Sequence, residues 1–391
     1  MVSLVIFEGG PARSWVERLL ADLREAIVLD TIRRAAACGA IEQVVVVTDR
    51  ESLAEQARAM GAEVDRDGQE QPFHFGRRLA ELVRARRLER VIYMSGGLGA
   101  LATPDDLGWI ARELARRDRV VIANNVHSAD LVAFTPGDAL DRIDLPSLDN
   151  SLAMALSAGG GLELVHPPRT LGLHFDIDTP TDALVLGVHP GTGPAVREWL
   201  ERHPLDRRRV QAVLAIMDDP MADLLIFGRI GAPLFYYLDD RTRCRLRVLS
   251  EERGMKSLGR DRRGEVVSLM GYLWESVGDR GLFERLGKVA AAALLDTRVL
   301  FAHRRWEVSQ SDRFLSDLGE WESIDHPGVR SFTRAAVEES PIPVLLGGHS
   351  LVSGGVWALV DARLREGGWP APEERHASPM RAVVAQPEKG R

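Results

Sequence analysis

Short apolar runs alternate with longer amphipathic stretches through the first half of the chain. Val2–Phe7 is apolar and is closed by Glu8-Gly9-Gly10-Pro11. From Trp15 onward Leu19, Leu20, Leu23, Ile27, Ile32 and Ala36 recur at helical spacing, and Gly39 punctuates the stretch. Gln43–Thr48 carries the four-valine run of a buried strand, Ser52–Met60 reads as helix, and Gly61–Val64 reads as a short returning strand. Leu79–Arg87 predicts a basic amphipathic helix, Arg90–Ser95 a buried strand, and Arg119–Ala123 another. Between the last two, Thr103 precedes Pro104 as the cap and first turn of a helix. Alternation of this kind predicts an α/β, Rossmann-like fold: a mostly parallel sheet with helices on both faces. Ligands of such sheets sit in the loops after the carboxyl ends of the strands. The loops to watch are therefore residues 8–13, 95–103 and 124–130, followed by the acidic segment His174-Phe-Asp-Ile-Asp-Thr-Pro-Thr-Asp182.

The pattern changes near Gly187–Pro194, which places a domain boundary there: an α/β domain over residues 1–190 and a mainly α-helical domain over 195–368. Helical periodicity is read at Arg207–Met217, Ala222–Phe227, Leu234–Ser250 and Leu282–Leu295, and an extended segment at Ile342–Leu346. Residues 369–391 are rich in proline and charge and are expected to form a disordered tail. The Gly348-His-Ser350 turn resembles a nucleophile elbow, but Val352 stands where its last glycine belongs, and tight strand–helix packing is the better reading.

Composition narrows the class. The 391 residues carry a formal charge of −7, which gives no electrostatic reason to expect nucleic acid or an anionic membrane as partner. Two cysteines are too few for a disulfide scaffold, and no apolar run is long enough to span a bilayer, so a cytoplasmic protein is expected. Only Lys256, Lys288 and Lys389 are lysines. A phosphate clamp in the first 255 residues must therefore use arginine, backbone N–H groups or a metal.

Three segments can carry chemistry. Gly9 and Gly10 let backbone N–H groups approach a phosphate ahead of a helix N-terminus, with Arg13 supplying charge; the same glycines also suit a plain strand–helix turn. Asp176 and Asp178, two apart in an extended segment, share a side and form the carboxylate pair that suits Mg²⁺ shared with substrate phosphates. A capping turn without metal explains the same residues equally well. Gly96 and Gly97 can admit a phosphate against bare backbone. Arg241, Arg243, Arg245 and Arg247 read best as a solvated, salt-bridged surface, and the histidines, among them His127, have no metal spacing.

The order strand, Gly-Gly loop, helix, valine-rich strand ending Thr48-Asp49, and the final FDIDTPTDALVL from Phe175 to Leu186 resembles the MobA-like nucleotidyltransferases, in particular the 2-phospholactate guanylyltransferases. The resemblance covers residues 1 to about 190. It implies a GT-A-like fold, a nucleoside triphosphate, Mg²⁺, and attack of a small phosphorylated acceptor on the α-phosphorus with loss of pyrophosphate. Gly9, Gly10 and Arg13 would hold the triphosphate, Asp176 and Asp178 the metal, and Asn124 and Asn125 would line the nucleotide or acceptor pocket; Arg13 and Asp178 would be catalytic. The chain departs from the family pattern twice. Its first loop offers only Arg13 and Arg18, and Ser95-Gly-Gly97-Leu-Gly99 stands where a D-x-P metal aspartate is expected. Two other outcomes therefore stay open: a catalytically inactive nucleotide-binding protein on the same fold, and a sugar-nucleotide glycosyltransferase. A homo-oligomer is also left open.

Overall fold

The structure, a computed structural model, describes residues 1–67, 73–126 and 129–367. His127 and the expected tail 369–391 lie outside the described residues. Seven strands form the first sheet: β1 (Val2–Phe7), β2 (Gln43–Thr48), β3 (Glu63–Arg66), β4 (Arg90–Ser95), β5 (Val120–Ala123), β6 (Leu131–Thr135) and β7 (Glu163–Val165). Their order is β3-β2-β1-β4-β6-β5-β7, and every pairing is parallel except the two made by β6. The central strands are buried on both faces, as their unbroken apolar runs require. Local signals set the helix starts. Ser14 and Glu17 form a reciprocal cap on the helix Trp15–Cys38, and Thr103 with Asp106 does the same for Pro104–Arg116. Strand β6, which follows the expected ligand loop 124–130, pairs antiparallel with β5.

Helix outweighs strand in the second half, but the half is built around a sheet that helical periodicity did not reveal. Strands β8 (Asp223–Gly228), β9 (Arg245–Ser250), β10 (Ala292–Asp296) and β11 (Val344–Gly347) form an all-parallel sheet in the order β11-β10-β8-β9. One of these strands was read as a helix, and two others as the ends of longer helices, because a short run such as Leu224-Leu-Ile-Phe227 has no polar face to betray its period. The alternating arginines find their explanation here. Arg245 and Arg247 point the same way from β9 and both pair with Asp223, at 2.8 and 3.3 Å.

One apolar core runs across the two halves, from Leu20, Leu23 and Ile27 through Phe175, Ile177 and Leu184–Leu186 to Trp199, Phe227, Leu294 and Leu345. A polar tie reinforces it. Asp30, 1% exposed on the first long helix, accepts the N–H groups of Ala195 and Val196 at 3.0 Å each and so caps the helix Pro194–Arg202. Gly193 lets that cap form, since a Cβ there would lie 2.2 Å from Asp30 Oδ2. Replacing Asp30 by alanine strands two buried donors, and urea unfolding of Asp30→Ala is expected to show a loss of about 2–4 kcal/mol.

Candidate functional site

The site lies at the carboxyl ends of β1 and β4, where Glu8 and Gly96-Gly97 follow their strands side by side. The acidic segment crosses this edge. Asp176 bridges Leu98 in antiparallel fashion, and the Ile177 N–H donates to the Gly97 carbonyl at 3.1 Å. The space beside the glycines is taken. A Cβ on Gly96 would lie 2.1 Å from Glu8 Oε2, and one on Gly97 would lie 2.6 Å from Asp176 Oδ1. Gly96 and Gly97 therefore do not admit a phosphate; they make room for two carboxylates. The departure from the D-x-P pattern also reads differently, because Glu8 from the neighbouring strand brings a carboxylate against the same stretch of backbone.

Arg24, from the long helix, holds this acidic group together. Its Nε and Nη2 donate to the Ile177 carbonyl at 3.0 and 2.8 Å. Burial opposes its charge, but Glu8, Asp176, Asp178 and Asp182 outweigh that and raise its pKa. Burial pushes the Glu8 carboxyl up to about 7, against the pull of Arg24 and Arg50. Asp176 is held well above the usual carboxylate range by burial and then by Asp178 and Asp130, with Asp178 hydrogen-bonded to it. Asp130 is raised for the same reasons, through burial, Asp178 and Asp149. Asp178 itself is exposed to the cleft. Asp176 and Asp178 thus set hard oxygen donors side by side, which fits a cation that takes one or two protein carboxylates and completes its shell from phosphates. Among the described residues no group of three or more histidine, cysteine or acidic side chains is arranged to hold a metal by itself.

The structure sorts the other sequence candidates unevenly. Gly10 does take a positive φ of 97°, but its N–H already donates to the Asp49 carboxylate at 3.2 and 3.3 Å. Arg13 is exposed, with its N–H on Glu17. A narrow cleft of about 50 Å³ beside Gly9 and Gly10 is lined instead by Arg24 and Arg50, and Gln310 and Phe314 from the second half close over it. Such a space holds a few waters and is closed on one side by the helix Gln310–Leu318. Asn124 is committed to the fold: its Nδ2 donates to the Leu173 carbonyl at 2.9 Å, and its Oδ1 accepts from the Asn125 and Leu131 N–H groups. Asn125 is exposed beside it.

Sequence reasoning passed over Glu8, Arg24, Asp130 and, from the second half, Lys256. The Lys256 ammonium lies close enough to Asp178 and Asp130 for each to feel it. Lys256 is thus a lysine brought towards the acidic group by a segment distant in sequence. Its rarity in the sequence was the one available signal.

A parallel nucleotide-type sheet with paired aspartates across its carboxyl edge defines an α/β protein of the nucleotidyltransferase class. No protein-family model matches the chain. It is 32% identical over 186 residues to phosphoenolpyruvate guanylyltransferase of Mycolicibacterium vanbaalenii, a match spanning 46% of this chain and 84% of that protein. It is 30% identical over 187 residues to the enzyme of the same name from Mycobacterium ulcerans, spanning 45% and 83%. The chain belongs to the phosphoenolpyruvate guanylyltransferase family and is a nucleotidyltransferase. Among solved structures, a cytidylyltransferase from Leptospira borgpetersenii aligns over 52% of this chain and 94% of its own, with a TM-score of 0.38 and 14% identity. A 4-diphosphocytidyl-2C-methyl-D-erythritol synthase from Anaerococcus prevotii aligns over 42% and 86%, with a TM-score of 0.29 and 13% identity. No described helix is long and apolar enough to cross a membrane.

The raised pKa of Glu8 has a measurable consequence. Its folded value lies above the ordinary glutamate value of 4.5, so protonation favours the fold, and the stability present at acid pH is lost as pH rises from 4.5 through 7. In metal-free buffer, Glu8→Gln is expected to gain about 3 kcal/mol on the native protein between pH 4 and pH 8, read from paired urea unfolding curves.

Proposed function

We propose that the protein transfers a nucleotidyl group, with guanylyl the first choice, from a nucleoside triphosphate to a small phosphorylated acceptor and releases pyrophosphate. The observation that carries this reading is the Asp176–Asp178 pair, set at the strand edge of a chain whose relatives are guanylyltransferases. Asp176 and Asp178 would hold Mg²⁺, which would supply charge neutralisation on the phosphates. Gly9, Gly10 and Arg13 remain our candidates for the outer triphosphate contacts, with Arg50 beside them. Arg50 suits this role because its Nε is buried without a hydrogen-bond partner while its Nη2 reaches the Gly10 carbonyl at 3.4 Å. Arg24 keeps the acidic residues aligned when the cleft opens. The acceptor phosphate oxygen then forms the new bond to the α-phosphorus, and the bridging oxygen leaves with the electron pair as pyrophosphate.

The test is pyrophosphate release from each of the four nucleoside triphosphates with phosphoenolpyruvate or 2-phospholactate and Mg²⁺. One triphosphate should support turnover, and Asp178→Asn should lower it by at least about 100-fold with the unfolding midpoint little changed. Absence of turnover with every triphosphate, together with binding of a sugar nucleotide, points to glycosyl transfer instead. Absence of both leaves a binding protein.

A further inference from the structure

The all-parallel second sheet brings four separate segments to one edge. Arg229 follows β8, the loop after β9 leads to Lys256, Asp296 ends β10 and is followed by Thr297 and Arg298, and β11 runs into Gly348, His349 and Ser350. In doubly wound sheets this edge is where ligands bind. It does not face solvent alone. Ser350 Oγ donates to Asp182 Oδ2 at 2.6 Å, Thr181 Oγ1 donates to the Leu346 carbonyl at 2.5 Å, and a Cβ on Gly348 would touch Thr179 Cγ2 at 3.1 Å. The edge of the second sheet is therefore docked against the acidic segment of the first half.

The charges at this edge do not cancel within the protein. Asp296 takes Arg229 in a two-pronged pair at 2.7 and 3.1 Å, and Asp317 takes Arg298 at 2.6 Å on both oxygens. Lys256 and Arg313 are left over: among the described residues neither has an ion pair or side-chain hydrogen bond, although both are drawn into the group. Lys256 is pulled below its usual pKa by desolvation and by Arg229, Arg313 and Arg298, with Asp178 opposing. Desolvation and Arg298 do the same to Arg313, with Asp317 opposing. The His349 Nδ1 is buried without a partner. Exposed Lys256 and half-buried Arg313, added to the paired Arg229 and Arg298 and to an unpartnered imidazole nitrogen, leave this edge with more positive charge than Asp296 and Asp317 neutralise.

We propose that this strand edge binds the phosphoryl group of the acceptor, with Lys256 and Arg313 as its two principal contacts and Arg229 and His349 beside them. The inference rests on the nucleotidyl-transfer reading for the identity of the ligand, but not for the existence of the anion site. A phosphomonoester fits the surplus charge because it is a dianion. The acceptor is favoured over the donor triphosphate by position. Lys256 interacts electrostatically both with the guanidinium groups of the edge and with Asp178, so a phosphate held by it would lie towards the proposed metal carboxylates.

The experiment uses the full chain, as native protein, Lys256→Met, Arg313→Gln and Lys256→Arg. Calorimetric titration with inorganic phosphate and with phosphoenolpyruvate is run without metal, and titration with GTP is run with Mg²⁺. The proposal expects both phosphate probes to bind the native protein and to lose at least tenfold in affinity in Lys256→Met and Arg313→Gln. It expects GTP affinity to stay within about twofold, and Lys256→Arg to restore most of the phosphate binding. Neither neutral variant removes a paired charge, so their urea midpoints should equal or exceed the native one, and a lower midpoint would disqualify the affinity data and counts against surplus charge at the edge. Unchanged phosphate affinity overturns the proposal, as does an equal loss for GTP, which would make the edge a triphosphate site. If the native protein turns over no triphosphate yet loses phosphate binding in these variants, the nucleotidyl-transfer reading fails while the anion site stands.

Discussion

The Oδ2 atom of Asp182 accepts hydrogen bonds from the Asp178 and Thr179 N–H groups, from the Thr179 hydroxyl and, across the molecule, from the Ser350 hydroxyl. Asp182 is wholly buried, and burial with the nearby Asp178 pushes its pKa up to about 7, so these donors are what make a carboxyl group tolerable there. The first three bonds cap the short helix Pro180–Leu186 and fix the course of the Asp176–Asp178 segment; the fourth ties that segment to the end of β11. Removing the tie would separate the acidic residues from the cationic strand edge. Together with the shared apolar core and the Thr181–Leu346 hydrogen bond, this buried acceptor sets the relative placement of the two sheets and of the site between them.

The electrostatics follow from that placement. Glu8, Asp130, Asp176 and Asp178 are crowded on one side, and burial together with mutual repulsion raises Asp130 and Asp176 well above the carboxylate range. Arg24 offsets part of the crowding and in return keeps its own charge despite desolvation. On the other side Arg229 and Arg298 are satisfied by Asp296 and Asp317, while Lys256 and Arg313 are not. A site poised between excess negative and excess positive charge suits a reaction that joins a metal-bound phosphate to a second anionic substrate. The cleft beside Gly9 and Gly10 is narrow because Phe314 and Gln310 pack across it from the helix that carries Arg313.

Much of this could be read along the chain. The strands Val2–Phe7, Gln43–Thr48 and Arg90–Ser95, the caps at Thr103 and Thr179, and the Asp176–Asp178 pair are local: each is encoded within a few residues, by an apolar run or by a side chain that reaches its own backbone. Gly96 and Gly97 were also conspicuous, but their meaning was not local. A glycine signals only that a side chain does not fit, and what excludes it here is a carboxylate 88 residues before Gly96 in one case and 79 residues after Gly97 in the other.

By itself the sequence determined the parallel α/β first half, the ends of its helices, the acidic segment and the kinship with nucleotidyltransferases. These depend on short-range periodicity and on residues adjacent along the backbone. Only the tertiary structure decided that the second half holds a parallel sheet, because buried strands on a two-sided sheet carry no alternation to distinguish them from buried helix. It alone set Glu8 beside Gly96, Arg24 beneath Asp176, and Lys256 opposite Asp178. Those contacts join residues tens to hundreds of positions apart, and they are selected by the packing of the shared core and by the cost of leaving buried charge unpaired.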